Sequence, residues 1–107
     1  MQTLDEIHEL DERLFELGDV IFTEKALQLI LNRNLEAVAY IGLHVLGCWD
    51  DLPEPERQAN HNAIQQGKRI ISRYSIPPDN TGLWVVTEWN RTLTSVLLPE
   101  EYSEFAL

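Results

Sequence analysis

The second half of the chain carries polar side chains of the kinds that cleave a phosphodiester. A histidine, or a carboxylate whose pKa is raised, can act as a general base near neutral pH. An arginine beside the phosphate would stabilise the charge that develops on it during the reaction. The candidate catalytic residues are His44, Arg73, Glu88 and Arg91, with Arg69 and Thr87 nearby in the sequence.

A histidine on a helix, followed by a sheet that carries Arg, Glu and Thr, is also the layout of small endoribonucleases similar to barnase and to RelE-type toxins. Such enzymes need a basic face for RNA. Residues 67–98 hold four basic and two acidic side chains, so their net charge is only +2. The alternative is structural: His44 packs near Trp49 or hydrogen-bonds the sheet, and Glu88 pairs with Arg91 across a turn.

The tryptophans point to a different function, protein binding. The candidate binding residues are Trp49, Trp84, Trp89 and Arg69. Trp84 and Trp89 lie on opposite faces of a regular strand, so one of them could be exposed. Tryptophan and arginine are over-represented in protein interfaces, and an exposed tryptophan near Arg73 and Arg91 would suit one. The alternative is that both pack under the helices or the C-terminal tail.

The sequence predicts neither a metal nor a cofactor. His44 and Cys48 are four residues apart, but Gly47 is expected to end a helix between them. One Cys and one His are also fewer ligands than a zinc site uses. The chain has no phosphate-binding glycine loop, nucleophile elbow or paired-carboxylate motif. A single cysteine, an acidic N-terminus and short apolar runs predict a cytoplasmic protein that has no membrane segment.

The net charge of −10 bears on the kind of partner. Nucleic-acid binding draws on Lys and Arg, so we expect no nucleic-acid partner unless the ribonuclease hypothesis holds. The leading hypothesis is a non-enzymatic module that binds another protein, with a homodimer as a further possibility. A third hypothesis is an acidic nucleic-acid mimic that inhibits a host defence or restriction enzyme.

The periodicity predicts one α+β domain over residues 1–107, with four N-terminal helices packed on a C-terminal three-stranded antiparallel meander. The first helix, 3–17, has a capping box, an apolar stripe that could serve as core or dimer seam, and Gly18 as its stop. Later helices are predicted at 23–31, at 35–46 with Asn34 as cap and Gly47 as stop, and from Asp51 to Gly67. The predicted strands are 70–76, 83–89 and 93–98.

Four motifs between His44 and Tyr102 carry a resemblance to a known family. They are HVxGxWxDL at 44–52, NAxxxGxRIxSxY at 62–74, WVxTExxR at 84–91 and TxVLLPEEY at 94–102. The chain resembles small bacterial proteins found largely on plasmids and in prophage-like islands, usually described as uncharacterised or plasmid-related. Cys48 and Asn90 stand where that family's pattern has acidic residues. The resemblance implies a mobile-element setting and supplies no activity.

Overall fold

The computed structural model describes residues 12–105, which form a four-stranded sheet with helices against it. In chain order the elements are β1 (Asp19–Phe22), α1 (Glu24–Asn32), α2 (Ala37–Val45), α3 (Glu54–Gln66), β2 (Ile70–Ile76), β3 (Thr81–Thr87), β4 (Leu93–Leu97), a 3₁₀ turn (Pro99–Glu101) and the short α4 (Tyr102–Phe105). Within these residues no helix has both the length and the apolar character needed to cross a membrane.

The sheet is mixed, and the predicted fold class is therefore wrong. Its strand order is β1-β4-β3-β2. The β2–β3 and β3–β4 pairs are antiparallel, as in the predicted meander, but β1 is added parallel to β4, with Asp19 opposite Leu93. Within residues 12–105 three helices have nine or more residues, and the first of the four predicted helices falls mostly outside this range. The sequence did not reveal β1 because its four residues are too few for a period-two pattern.

The predicted first helix is wrong where the structure describes it. Residues 3–11 of that prediction lie outside the described residues, and the described part, 12–17, is not helical. The Leu14 N–H instead donates to the carbonyl of Val45 at 2.9 Å, and Phe15 is buried in the core. Gly18 has a positive φ of 65°, and a Cβ there would lie 2.2 Å from the carbonyl carbon of Thr92. Gly18 therefore does not end a helix: it lets the chain enter β1 beside β4.

The other helix boundaries follow local signals more closely. The Thr23 hydroxyl accepts a hydrogen bond from the N–H of Ala26 at 3.1 Å and caps α1. Gly47 and Gly67 have positive φ values just after α2 and α3 and end them, as predicted. Asn34 does not cap α2, which begins two residues later than predicted. Likewise, α3 begins after Pro53 instead of at Asp51.

The strands present two different faces. The inner face packs against α1 and α2 and carries Ile70, Ser72, Tyr74, Ile76, Leu83, Val85, Thr87, Thr94 and Val96. The alternate residues form the outer face. α3 lies along the β2 edge, where the Asn60 amide accepts from the N–H of Ile71 at 3.1 Å and donates to its carbonyl at 2.8 Å. At Ile71 this side chain substitutes for a neighbouring strand and satisfies both backbone groups on the exposed edge of β2.

Candidate functional site

His44 lies on the inner side of the sheet, where its ring is fully buried. Its position on α2, with Gly47 ending the helix one turn later, turns the ring toward β2 and β3. Nδ1 lies 2.5 Å from the Ser72 hydroxyl, and Nε2 lies 2.8 Å from the Thr87 hydroxyl. Both ring nitrogens are thus hydrogen-bonded to side chains of the sheet.

The hydrogen bonds around His44 form one chain, and its Leu17 end fixes the direction of the bonds at Nε2. At one end the Trp49 indole N–H, which can only donate, bonds the Ser72 hydroxyl at 2.6 Å. At the other end the Thr94 hydroxyl donates to the carbonyl of Leu17 at 2.7 Å and lies 2.7 Å from the Thr87 hydroxyl. Because the Thr94 proton is used by Leu17, Thr87 must donate to Thr94, and the Nε2–H of His44 must donate to Thr87. In a neutral ring Nδ1 then accepts from the Ser72 hydroxyl.

The surroundings of His44 agree with a neutral ring. Burial lowers the pKa of His44 to about 3, because the charged form loses its hydration. The edge of Phe15 packs against the ring at 5.1 Å between centroids. A neutral histidine with both nitrogens occupied has no lone pair to offer a substrate or a metal, so His44 holds the sheet to α2.

The other candidate catalytic residues lie elsewhere. Arg73 and Glu88 belong to the outer face, across the sheet from His44. Arg91 donates to the backbone carbonyls of Ala63, Lys68 and Glu88, where it binds the C-terminal end of α3. The structure therefore does not bring His44, Arg73, Glu88 and Arg91 into one cleft, as the ribonuclease hypothesis requires.

The outer face instead holds a pocket of about 280 Å³ between the sheet, α3 and the start of α4. We call it the outer-face groove. It is lined by Leu52, Glu56, Ala59, Asn60, Arg69, Ile71, Arg73, Trp84 and Tyr102. A second pocket of about 240 Å³ shares Leu52, Arg73 and Trp84 with it, so the two form one continuous depression.

Arg69 anchors one end of the groove. Its Nε and Nη2 donate to a single carboxylate oxygen of Glu88 at 3.1 and 2.9 Å, and Nη1 donates to the Tyr102 hydroxyl at 3.2 Å. The hydrogen bond to Tyr102, followed by those to Glu88, raises the pKa of Arg69 above its ordinary value. Arg69 thereby ties the C-terminal segment to the sheet and keeps a fixed cation beside the pocket.

Arg73 and two aromatic rings form the middle of the groove. The Arg73 guanidinium lies 5.9 Å from the centroid of the Trp84 ring and also pairs with the Glu56 carboxylate of α3. The Trp84 and Tyr102 rings pack 5.2 Å apart. Because Arg73 and Glu56 are both partly exposed, this ion pair lies at the mouth of the depression.

The four candidate binding residues are divided by the fold. Trp84 and Arg69 line the outer-face groove. Trp49 is buried in the core, bonded to Ser72 and packed edge-on against His61 at 5.1 Å. Trp89 follows the end of β3, is 63% exposed and does not line the groove.

Sequence reasoning missed Tyr102, Asn60 and Glu56 as groove residues. Tyr102 carried the only available signal, as the aromatic residue that ends the Leu-Leu-Pro-Glu-Glu-Tyr segment. Asn60 and Glu56 lie on a polar helix, where nothing in their spacing distinguishes them from other surface residues. Within residues 12–105, no three His, Cys, Asp or Glu side chains are grouped so that they could hold a metal ion.

Comparison of the chain with protein-family models, with curated proteins and with solved structures finds no match. The chemical character of the outer-face groove is therefore the basis for inferring what the chain can bind. Two arginines fixed by carboxylates and two packed aromatic rings surround an apolar floor. This arrangement can bind a polypeptide side chain without reacting with it.

Proposed function

We propose that this chain is a non-enzymatic protein-interaction module that binds a segment of another protein in the outer-face groove. The observation that carries the proposal is the convergence of Trp84, Tyr102, Arg69 and Arg73 on one pocket. Tryptophan, tyrosine and arginine dominate the energetics of protein interfaces, because they combine a large contact area with directed polar groups.

The pairing of charges in the groove favours binding over catalysis. Arg69 is held by Glu88, and Arg73 is held by Glu56, so each cation has a carboxylate fixed beside it. A catalytic arginine would instead face a vacant position where charge develops during the reaction. Paired ions around an apolar floor suit a partner segment that places an apolar side chain in the pocket and polar groups at the rim.

The resemblance to plasmid and prophage proteins supports the same site. All four motifs that carry it supply groove residues: Leu52 from 44–52, Arg69 from 62–74, Trp84 from 84–91 and Tyr102 from 94–102. The proposed setting is therefore the cytoplasm of a bacterium that carries a mobile element. The proposed partner is a host protein or a protein encoded by that element, and no cofactor takes part.

Selection from a random-peptide display library on the purified full chain tests the proposal. Selected peptides are then titrated against wild type, Trp84→Ala and Arg73→Met. The methionine keeps an apolar stem over the Trp84 ring and removes only the guanidinium. We expect each substitution to weaken binding about tenfold or more, as truncation of an interface hot spot does.

Trp89→Ala is the matched control, because it removes an exposed tryptophan outside the groove. Circular dichroism of each variant verifies that its fold is intact. Selected peptides that bind Trp84→Ala and Arg73→Met as tightly as wild type would show that the groove is not the binding site. A loss confined to Trp89→Ala would move the site to the β3–β4 turn.

A further inference from the structure

The second pocket, which continues the outer-face groove, contains an acidic side chain that the fold leaves without a partner. Asp51 lines this pocket and is exposed, and within residues 12–105 its carboxylate makes neither a hydrogen bond nor a salt bridge. The two arginines of the depression, by contrast, are already held by carboxylates. The charge that remains unpaired among the lining residues is therefore negative.

The chain on both sides of this pocket is acidic as well. Residues 50–56, which lead into α3, carry four acids and no base. At the C-terminal end, the exposed Glu100 follows Pro99, which packs against Gly82 in the pocket wall. The whole chain has a net charge of −10. A positively charged segment would therefore be attracted to the depression, and a negatively charged one would be repelled.

The Trp84 indole N–H borders the same pocket and is a donor that no residue within 12–105 accepts. Its Nε1 lies on the Gly82 side of the ring, 3.7 Å from the position that a Cβ on Gly82 would occupy, and both residues line the pocket. An indole nitrogen only donates, so its partner must be an acceptor such as a backbone carbonyl. A carboxylate suits this place less well, because Asp51 would repel it.

The two pockets accept different side chains. The outer-face groove has a volume of about 280 Å³, below the roughly 300–1,000 Å³ of small-molecule sites, and Leu52, Ala59 and Ile71 make its floor apolar. It therefore suits one large apolar side chain. In an extended segment, residues two positions apart lie on the same side and are separated by about 7 Å. A basic residue two positions from the apolar one thus faces the adjoining second pocket.

We infer that the bound segment is an extended, internal stretch of a basic protein. It places a large apolar side chain in the outer-face groove and a Lys or Arg side chain beside Asp51, and one of its backbone carbonyls accepts from the Trp84 N–H. This inference rests on the proposed function, because it names the chemistry of the partner for the same site. The ion pair with Asp51 is exposed, so it favours basic segments over neutral ones by only about threefold to fivefold.

Three pools of acetylated, amidated seven-residue peptides test the inference. Every peptide has serine at the odd positions and an equal mixture of Leu, Met and Phe at the centre. The two remaining positions are Lys in the first pool, Gln in the second and Glu in the third. Each pool is titrated into the full chain at about 0.05 and 0.5 M NaCl while the ¹⁵N–¹H signal of the Trp84 indole is followed.

At the lower salt concentration the Lys pool should bind at least about threefold more tightly than the Gln pool, and the Glu pool should bind most weakly. The difference should shrink at the higher salt concentration, because screening shortens the reach of the charges. The Trp84 indole proton should move downfield on binding, as it does when an N–H gains an acceptor.

Asp51→Asn and Asp50→Asn are matched variants, because each removes one exposed acid and changes the net charge equally, whereas of the two only Asp51 lines the pocket. Asp51→Asn should remove most of the advantage of the Lys pool over the Gln pool, and Asp50→Asn should preserve it. Circular dichroism verifies that both variants are folded.

Equal effects of the two variants overturn the inference, as does a Gln or Glu pool that binds as tightly as the Lys pool. In both cases the Trp84 signal still reports binding in the groove, so the proposed function stands. A Lys pool that leaves this signal unchanged at millimolar concentration, while display-selected peptides shift it, also overturns the inference alone. If neither kind of peptide shifts it, the proposed function fails as well.

Discussion

Acidification should destabilise this protein through His44 before most of its carboxylates are protonated. In the folded chain burial holds the pKa of His44 at about 3, whereas the ordinary value is 6.5. Between these two values the unfolded chain binds a proton on this side chain and the folded chain does not. Stability contributed by neutral His44 is therefore complete above about pH 6.5 and is lost as pH falls toward 3.

The size of the effect follows from the distance between the experimental pH and the unfolded pKa. One pKa unit corresponds to about 1.4 kcal/mol. At about pH 5, which is roughly 1.5 units below the unfolded value, His44 should lower the free energy of unfolding by about 2 kcal/mol relative to pH 7.5. For a domain of this size that is a large part of the total stability.

Urea unfolding of wild type, His44→Gln and His61→Gln at both pH values measures this difference. Glutamine can hydrogen-bond near the position of Nε2 but does not titrate, so His44→Gln should lose about 2 kcal/mol less than wild type on acidification. His61→Gln removes an exposed histidine that packs on Trp49 and controls for the loss of an imidazole as such. NMR of the imidazole nitrogens in wild type should show the neutral Nε2–H form persisting to about pH 4.

The reasoning would be refuted if wild type and His44→Gln lost equal stability between the two pH values. It would also be refuted if His44 titrated in the folded protein near its ordinary pKa. Either result would mean that burial between α2 and the sheet does not keep the ring neutral.

Two further predictions concern the framework of the fold, and a third concerns catalysis. Asn60→Ala should lower the free energy of unfolding by about 1–3 kcal/mol in urea titrations, because it leaves two backbone groups of the β2 edge unpaired; Asn62→Ala, on the exposed side of α3, should change it little. Gly18→Ala should lower the free energy of unfolding by about 2 kcal/mol or more, because the alanine methyl would collide with the backbone of Thr92. Gly67→Ala should lower the free energy of unfolding by only about 1 kcal/mol, because Gly67 also has a positive φ but no atom lies close to its Cβ position. Equal losses for the two variants would mean that the backbone near Thr92 moves away from the Gly18→Ala methyl without a cost in stability. The purified chain should not cleave RNA at high concentration, and cleavage that survives further purification would return the ribonuclease hypothesis to first place.

Local signals in the sequence predicted most of the framework. Gly47 and Gly67 mark helix ends because only a residue that tolerates positive φ fits there. The alternation of residues 70–76 predicted β2 because a strand with one buried face repeats every two residues. β1 could not be predicted in this way, since it is a strand only because β4 offers it a parallel partner.

The candidate site was harder to predict, for a geometric reason. Which face of the sheet a residue occupies depends on the packing of α1 and α2, so nothing in the sequence shows that His44 and Arg73 lie on opposite sides. The groove combines Trp84 from a strand, Glu56 from a helix and Tyr102 from the C-terminal segment. Residue types suggested that tryptophan and arginine take part in binding, but their convergence is a property of the fold.

The indole N–H signals of the three tryptophans test the central claim most directly. In ¹⁵N–¹H spectra of the full chain, a peptide selected by display is added stepwise. Because Trp84 lines the outer-face groove, Trp49 is buried and Trp89 lies outside it, we predict that the Trp84 indole signal shifts in a saturable manner while the other two stay in place. A saturable shift of Trp89 with Trp84 unchanged would contradict binding in the outer-face groove.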